Sequence, residues 1–172
     1  MDENEEDCST FGYCGLSGES QWCKEAPTRE LQGKNIALSA GVMVIDAPMG
    51  DDSYDIVRKG LSGTPGGDYK MEIKRAADPT VGKLHCLFKG DEGTVDKVAR
   101  HDIVDGNWHR LDCMKTRTSV VASVDGKSGS TKAGSAGSIS NASNVMVGAK
   151  TAEPLDDVFY GSMDWVDIDI AQ

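Results

Sequence analysis

No stretch of the 172-residue sequence approaches the roughly 18 unbroken apolar residues that a membrane span needs. No segment of ten or more residues carries an amphipathic 3.6-residue repeat either, so helices are not expected. Bases are scarce beside acids, 18 against 28, for a net charge of −10. Phosphate binding runs on a Lys and Arg surplus, so nucleic acid and anionic lipid are poor candidates for the main partner. Catalytic signatures are missing as well. There is no nucleophile elbow, phosphate loop or His-Glu-x-x-His. A glycosidase needs two carboxylates about 5–10 Å apart. No Glu-x-Asp-x-x-Glu cluster supplies them, and the one strand glutamate, Glu72, stands near Lys70 and Lys74.

What is present is enough chain for one domain with a sizeable core. Charge is unevenly placed. Residues 1–7 hold five acids and residues 153–172 hold six, neither with a base, which leaves 17 acids against 18 bases between them. Five cysteines stand at positions 8, 14, 23, 86 and 113. Their number suits an oxidising compartment, and the odd count leaves one over. The opening residues are charged throughout and contain no leader. The expectation is a secreted or cell-surface protein whose signal peptide is not part of this sequence.

The first 32 residues, rich in Gly, Ser and Glu and containing Cys8, Cys14 and Cys23, show no period and read as an irregular acidic segment. Residues 33–172 read as a single domain of short apolar runs punctuated by turns. Ile36–Ile45 and Tyr54–Lys59 come first, then Tyr69, Met71 and Ile73 alternating with Lys70, Glu72 and Lys74. Leu84, Cys86 and Phe88 alternate likewise, and Trp108–Met114, Val120–Val124, Val145–Gly148 and Met163–Ile170 complete the set. Asp-Gly pairs at 105–106 and 125–126 mark tight turns. The fold class expected is all-β, with strands spaced for an antiparallel two-sheet sandwich. Residues 126–143 read as a long loop with one weak edge strand, and Asn141-Ala142-Ser143 matches the N-glycosylation acceptor.

Alternation puts Cys86 and Cys113 on apolar faces, so a disulfide forms between them if their strands are paired neighbours; two buried free thiols are the other reading. Zinc held by His85, Cys86, His109 and Cys113 is resisted by geometry. His85 and Cys86 point to opposite faces, and His109 lies roughly 13 Å from Cys113 along an extended strand. His109 reads as a hydrogen-bonded histidine at the core. Trp108 precedes an apolar strand and Trp165 sits in one, which assigns both to packing.

The ordered series Asp105-Gly106-Asn107-Trp108-His109-Arg110-Leu111, Ser123-Val124-Asp125-Gly126-Lys127, Val147-Gly148 and Phe159-Tyr160-Gly161-Ser162-Met163-Asp164-Trp165-Val166 resembles the laminin-G-like, concanavalin-A-like jelly-roll family. Val57-Arg58-Lys59-Gly60, the Ser62–Gly67 turn, Tyr69–Ile73 and Cys86-Leu87-Phe88 look like its bacterial, actinobacterial branch. The resemblance covers about residues 36–171. It implies two antiparallel sheets packed face to face, and a non-catalytic domain that binds carbohydrate or protein, often with Ca²⁺ at a loop edge. The same fold also hosts glycosidases and polysaccharide lyases, and a divergent carbohydrate-active enzyme is the alternative.

Calcium takes six to eight oxygens from loop carboxylates and carbonyls. Asp51, Asp52, Asp156 and Asp157 are the candidate ligands. For a sugar, aromatic platforms outside the core are expected, and Tyr13, Trp22, Tyr54 and Tyr69 are the candidates.

Overall fold

The computed structural model describes residues 13–17, 20–24, 35–129, 132–152 and 154–171, with the backbone alone at 13–17, 20–24, 132, 155 and 171. Every regular element among them is a strand: β1 Tyr13–Ser17, β2 Ser20–Lys24, β3 Asn35–Met43, β4 Ser53–Lys59, β5 Asp68–Arg75, β6 Gly82–Gly90, β7 Gly93–Val98, β8 Trp108–Lys115, β9 Ser119–Val124, β10 Lys127–Ser128, β11 Lys132–Ala133, β12 Val145–Val147, β13 Thr151–Ala152, β14 Leu155–Asp156 and β15 Ser162–Ala171. One sheet runs β1-β2-β12-β4-β5-β6-β7, and the other runs β10-β9-β8-β3-β15 with β11 on β9. All strand pairs in the two sheets are antiparallel. The two-sheet antiparallel sandwich read from the sequence is present.

The period-2 pattern is what builds it. In β6, Gly82, Leu84, Cys86 and Phe88 are buried while Lys83, His85 and Leu87 are partly open. In β9, Val120, Ala122 and Val124 are buried and alternate with Ser119, Val121 and Ser123. Facing rows from both sheets, among them Leu38, Ala40, Val42, Met71, Ile73, Leu84 and Leu111, close one continuous core. Burying side chains of this size stabilises by about 1.5–3 kcal/mol each before conformational entropy is counted. The Asp125-Gly126 turn has φ of 52° and 71°, the paired left-handed conformation of a tight hairpin, and it joins β9 to β10.

Three expectations change. The first 32 residues are not wholly irregular: Tyr13–Ser17 and Ser20–Lys24 pair as a hairpin, with Cys14 opposite Cys23, and β2 extends the larger sheet through Met146 of β12. Their glycine-rich composition hides the alternation by which a strand is read, and Cys8 lies outside the described residues. Cys86 and Cys113 do form a disulfide, with Cα atoms 5.5 Å apart. Their strands are not paired neighbours, however. β6 and β8 belong to opposite sheets, so the bond crosses the core and ties the two layers together.

The third change concerns Asn141. It is buried, and its Nδ2 donates to the Gly67 carbonyl at 2.9 Å. The Ser140 amide donates to Gly66 O at 2.8 Å, so this loop is docked on the turn after β4. Gly66 has φ +86°, and a Cβ there would come within 1.7 Å of the Ser140 carbonyl oxygen. Only glycine permits that approach. The acceptor sequence therefore serves as an anchor, and its amide is not offered to solvent.

Candidate binding rim

The loop after β3 and the segment leading into β15 meet at one end of the sandwich. Met43, Ile45 and Asp46 from the first, with Tyr160, Gly161 and Ser162 from the second, line an open depression of about 200 Å³. Large apolar side chains exposed to solvent collect at this end. Ile45 is 69% exposed, Met49 80% and Tyr160 61%. Trp108, 53% exposed, opens β8 directly opposite Met43, which in turn faces Ser162 of β15. Scattered apolar residues on a surface need no explanation, but a gathering of this kind around a depression makes this end the candidate site.

Two polar groups give the depression direction. Asp46 lines it, and the Tyr54 ring behind it packs edge-on to Phe159 at 6.1 Å and Tyr160 at 5.8 Å. Burial, with the negative charge of Asp46 adding to it, pushes the Tyr54 phenol above its ordinary value. The phenol therefore stays protonated, a hydrogen-bond donor beside a carboxylate acceptor.

Below Trp108, one residue along β8, His109 is held between two carboxylates. Its Nδ1 lies 2.8 Å from Asp125 Oδ2 and its Nε2 lies 2.9 Å from Asp105 Oδ1. A neutral imidazole donates through one nitrogen only; the imidazolium donates through both. Burial pulls the His109 pKa down, but the hydrogen bonds to Asp125 and Asp105 outweigh it and the net shift is upward. His109 in turn lowers Asp125, and it holds Asp105 at about 2. The two turns that carry these aspartates, before β8 and after β9, are thereby clamped across the start of the Trp108 strand. Asp125 also accepts from the Arg110 amide at 2.9 Å. His109 is thus a hydrogen-bonded residue at the margin of the core, with a buried Leu111 on its own side of the strand.

The outer face of the same sheet continues the aromatic surface. Trp165, 37% exposed, stands opposite Gly41, which stands opposite Arg110. The Arg110 guanidinium lies 5.6 Å from the indole centroid and pairs with Asp112 at 2.9 Å. Trp108 and Trp165 are therefore surface residues, against the packing role read from the sequence. Trp108 lies on the outward row of β8 with Arg110 and Met114, opposite the inward Leu111 and Cys113, and the β-bulge between Met163 and Trp165 turns Trp165 to the outer face.

The residues singled out from the sequence divide in three. Tyr54 is buried behind the rim against Phe159 and Tyr160, and Asp51 and Asp52 are exposed in the loop before β4. Asp157 is tied to the start of β4: its Oδ1 accepts from the Ser53 amide at 3.3 Å, and its carbonyl accepts from the Asp55 amide at 3.0 Å. Tyr69 goes elsewhere. It is 0% exposed and packs at 6.3 Å from Phe88 in the core, because it lies on the inward row of β5 with Met71 and Ile73. Tyr13 and Trp22 fall on β1 and β2, where only the backbone belongs to the described residues. Around the acidic corner, Lys150 Nζ lies 2.6 Å from Asp156 and 3.2 Å from Asp157. Lys150 already neutralises that pair, and among the described residues no three His, Cys, Asp or Glu side chains converge as a metal cluster.

A second charged cluster lies on the outward row of the larger sheet. Asp55 faces Glu72 across β4 and β5, Arg58 reaches Asp55 at 2.8 Å, and Lys70 and Lys74 reach Glu72 at 2.6 and 3.0 Å. Burial pushes the Asp55 carboxyl up to about 7 against the opposing charge of Arg58. For Glu72, burial is overcome by the hydrogen bond from Lys70, and the net shift is downward. Two carboxyls with divergent values are a pattern that acid–base catalysis uses. Here both side chains are 0% exposed and each is held by a cation of its own strand, Arg58 in β4 and Lys70 and Lys74 in β5, so the cluster neutralises buried charge within the sheet.

No family model and no curated protein sequence matches the chain. Solved structures do. Domains LG4-5 of the mouse laminin alpha1 chain align over 91% of this chain and 38% of theirs, with a TM-score of 0.60 at 16% identity. The LG1-3 region of the laminin alpha2 chain aligns over 92% and 30%, with a TM-score of 0.61 at 15% identity. A native heptameric SAP-like pentraxin from Limulus polyphemus aligns over 80% and 64%, with a TM-score of 0.58 at 11% identity. The chain has the laminin G fold. It spans about a third to just under two thirds of these matched chains, and at such identities the likeness speaks for the laminin-G-like jelly roll, not for a shared ligand. No helix among the described residues is long and apolar enough to cross a membrane.

Proposed function

We propose that this laminin-G-like domain is an exported, non-catalytic recognition module, and that it binds a glycan or a protein surface at the rim formed by Ile45, Asp46, Met49, Trp108 and Tyr160. The observation that carries the reading is the gathering of large exposed apolar side chains around a 200 Å³ depression backed by Asp46 and Tyr54. Aromatic rings with polar groups beside them suit both sugar faces and protein hot spots. The disulfide across the core supports export, since such bonds persist in oxidising compartments. A glycan array, followed by calorimetry with the hits, tests the reading. Trp108→Ala and Tyr160→Ala should abolish binding while leaving the unfolding midpoint within the range usual for exposed substitutions, about ±0.5 kcal/mol. Retained binding in both variants removes the rim.

Calcium is proposed as an aid in the loops that carry Asp51, Asp52, Asp156 and Asp157. These donors suit the ion only once Lys150 leaves Asp156 and Asp157, with carbonyls and water completing the shell. Millimolar CaCl₂ should then raise the melting temperature and EGTA should reverse the rise. No response to either removes calcium.

A further inference from the structure

Among the described residues β15 is the longest strand, ten residues, and it forms one edge of its sheet. Among the described residues it pairs with β3 alone, so one side of its backbone is left without a strand partner. The inward row is Val166, Ile168 and Ile170, opposite Ala40, Leu38 and Ile36. Those three β3 residues are essentially fully buried, whereas Val166, Ile168 and Ile170 are only partly covered. The core is incomplete along this edge. The outward row after Trp165 is Asp167 and Asp169, both exposed, opposite the uncharged Ser39 and Ala37. No base lies on β15 or β3.

An open edge is a template for another strand. A second copy of this chain is a poor occupant. Antiparallel pairing that keeps the two apolar rows together sets carboxylate opposite carboxylate on the other face, and like charges directly opposite destabilise. We propose that the free edge of β15 receives an extended basic segment of a partner protein by strand addition. Its apolar residues would cover Val166, Ile168 and Ile170, and its alternate Lys or Arg side chains would meet Asp167 and Asp169. Backbone hydrogen bonds provide the attachment and the two rows set the register. This goes beyond the rim reading and does not depend on it.

The probe is a capped peptide of about eight alternating Lys and Val residues, matched to the strand at roughly 3.4 Å per residue. Two controls accompany it: an alternating Glu and Val peptide, and a Lys and Val peptide of the same composition with all its lysines at one end. Fluorescence anisotropy should rank the alternating Lys peptide about tenfold or more above both controls, two cross-strand ion pairs being the difference. Hydrogen exchange should show new protection in the β15 amides when it binds. The double variant Asp167→Lys, Asp169→Lys alters only exposed positions; its fold is checked by circular dichroism, and it should reverse the preference towards the Glu peptide. Equal binding of the alternating and end-loaded Lys peptides would mean attraction to the net negative charge and overturns the proposal. So does binding without protection of β15. Sedimentation at neutral pH covers the remaining occupant: dimers that protect β15 without any peptide would assign the edge to a second copy and overturn it equally.

Discussion

Trp165 lies across Gly41. A Cβ placed on Gly41 would stand 2.6 Å from the indole nitrogen and 3.0 Å from Cδ1, so the ring occupies the space that any other residue would need. Gly41→Ala therefore forces the indole off the sheet and away from Arg110. Overpacking of this kind costs about 1–3 kcal/mol. The expected result is a lower urea midpoint, together with a change in tryptophan fluorescence that Trp165→Phe removes. An unchanged spectrum in Gly41→Ala would contradict the contact.

The bond between Cys86 and Cys113 closes a loop of 27 residues and joins opposite sheets. In the chain-entropy account such a loop stabilises by about 3.5 kcal/mol. The double variant Cys86→Ala, Cys113→Ala should lose about that much and gain nothing further from added reductant. Wild-type protein in reductant should move towards the variant, since its reduced thiols no longer restrain the unfolded chain.

The His109 clamp makes part of the stability depend on pH, with opposite signs for its members. The folded pKa of His109 is raised, so its contribution is complete below roughly 6.5 and fades as pH rises through the folded value. Asp105 and Asp125 are lowered, so theirs is present above roughly 4 and fades as pH falls through their folded values, about 2 for Asp105. The three overlap between about pH 4 and 6.5. The melting-temperature gap between wild type and His109→Gln should be widest there and narrow on both sides. A gap that stays constant from pH 3 to about 9 would refute the clamp.

Asp55 pulls the other way. Its folded pKa, about 7, lies above the ordinary value, so its ionisation removes stability progressively as pH rises from about 4 to 7. Arg58 restrains that loss. Arg58→Leu leaves a buried carboxyl without its cation, which costs about 3–5 kcal/mol at neutral pH. Urea unfolding at pH 5 and 8 should show a steeper decline for Arg58→Leu than for wild type. Replacing Asp55 as well, in Asp55→Leu, Arg58→Leu, should recover most of the loss and flatten the profile.

The strands were legible where one row is apolar and the other polar, as in Tyr69–Lys74 and Leu84–Phe88, because burial on one face imposes a period of two. β7 escaped notice because Val95 is the one buried apolar residue within it. The candidate site was only half legible. Asp156 and Asp157 were marked as a loop pair and do share Lys150, whereas Tyr54 and Tyr69, marked as platforms outside the core, are both buried in it. Trp108, Tyr160 and Trp165 were missed as surface groups. A residue type with strong core preference carries no signal of exposure unless the position of its strand end, or of a bulge, is already known.

Local chemistry in the chain itself was sufficient for the all-β class, the tight Asp-Gly turns and the inward aim of Cys86 and Cys113. Each depends on neighbours in sequence: alternation, left-handed turn residues, the face of a strand. Which strands pair, that the disulfide crosses between layers, and that Ile45, Trp108 and Tyr160 share one end were decided only in three dimensions. Those outcomes depend on register and on sheet order, which arise from contacts between residues far apart in the chain and leave no periodic trace within any one segment.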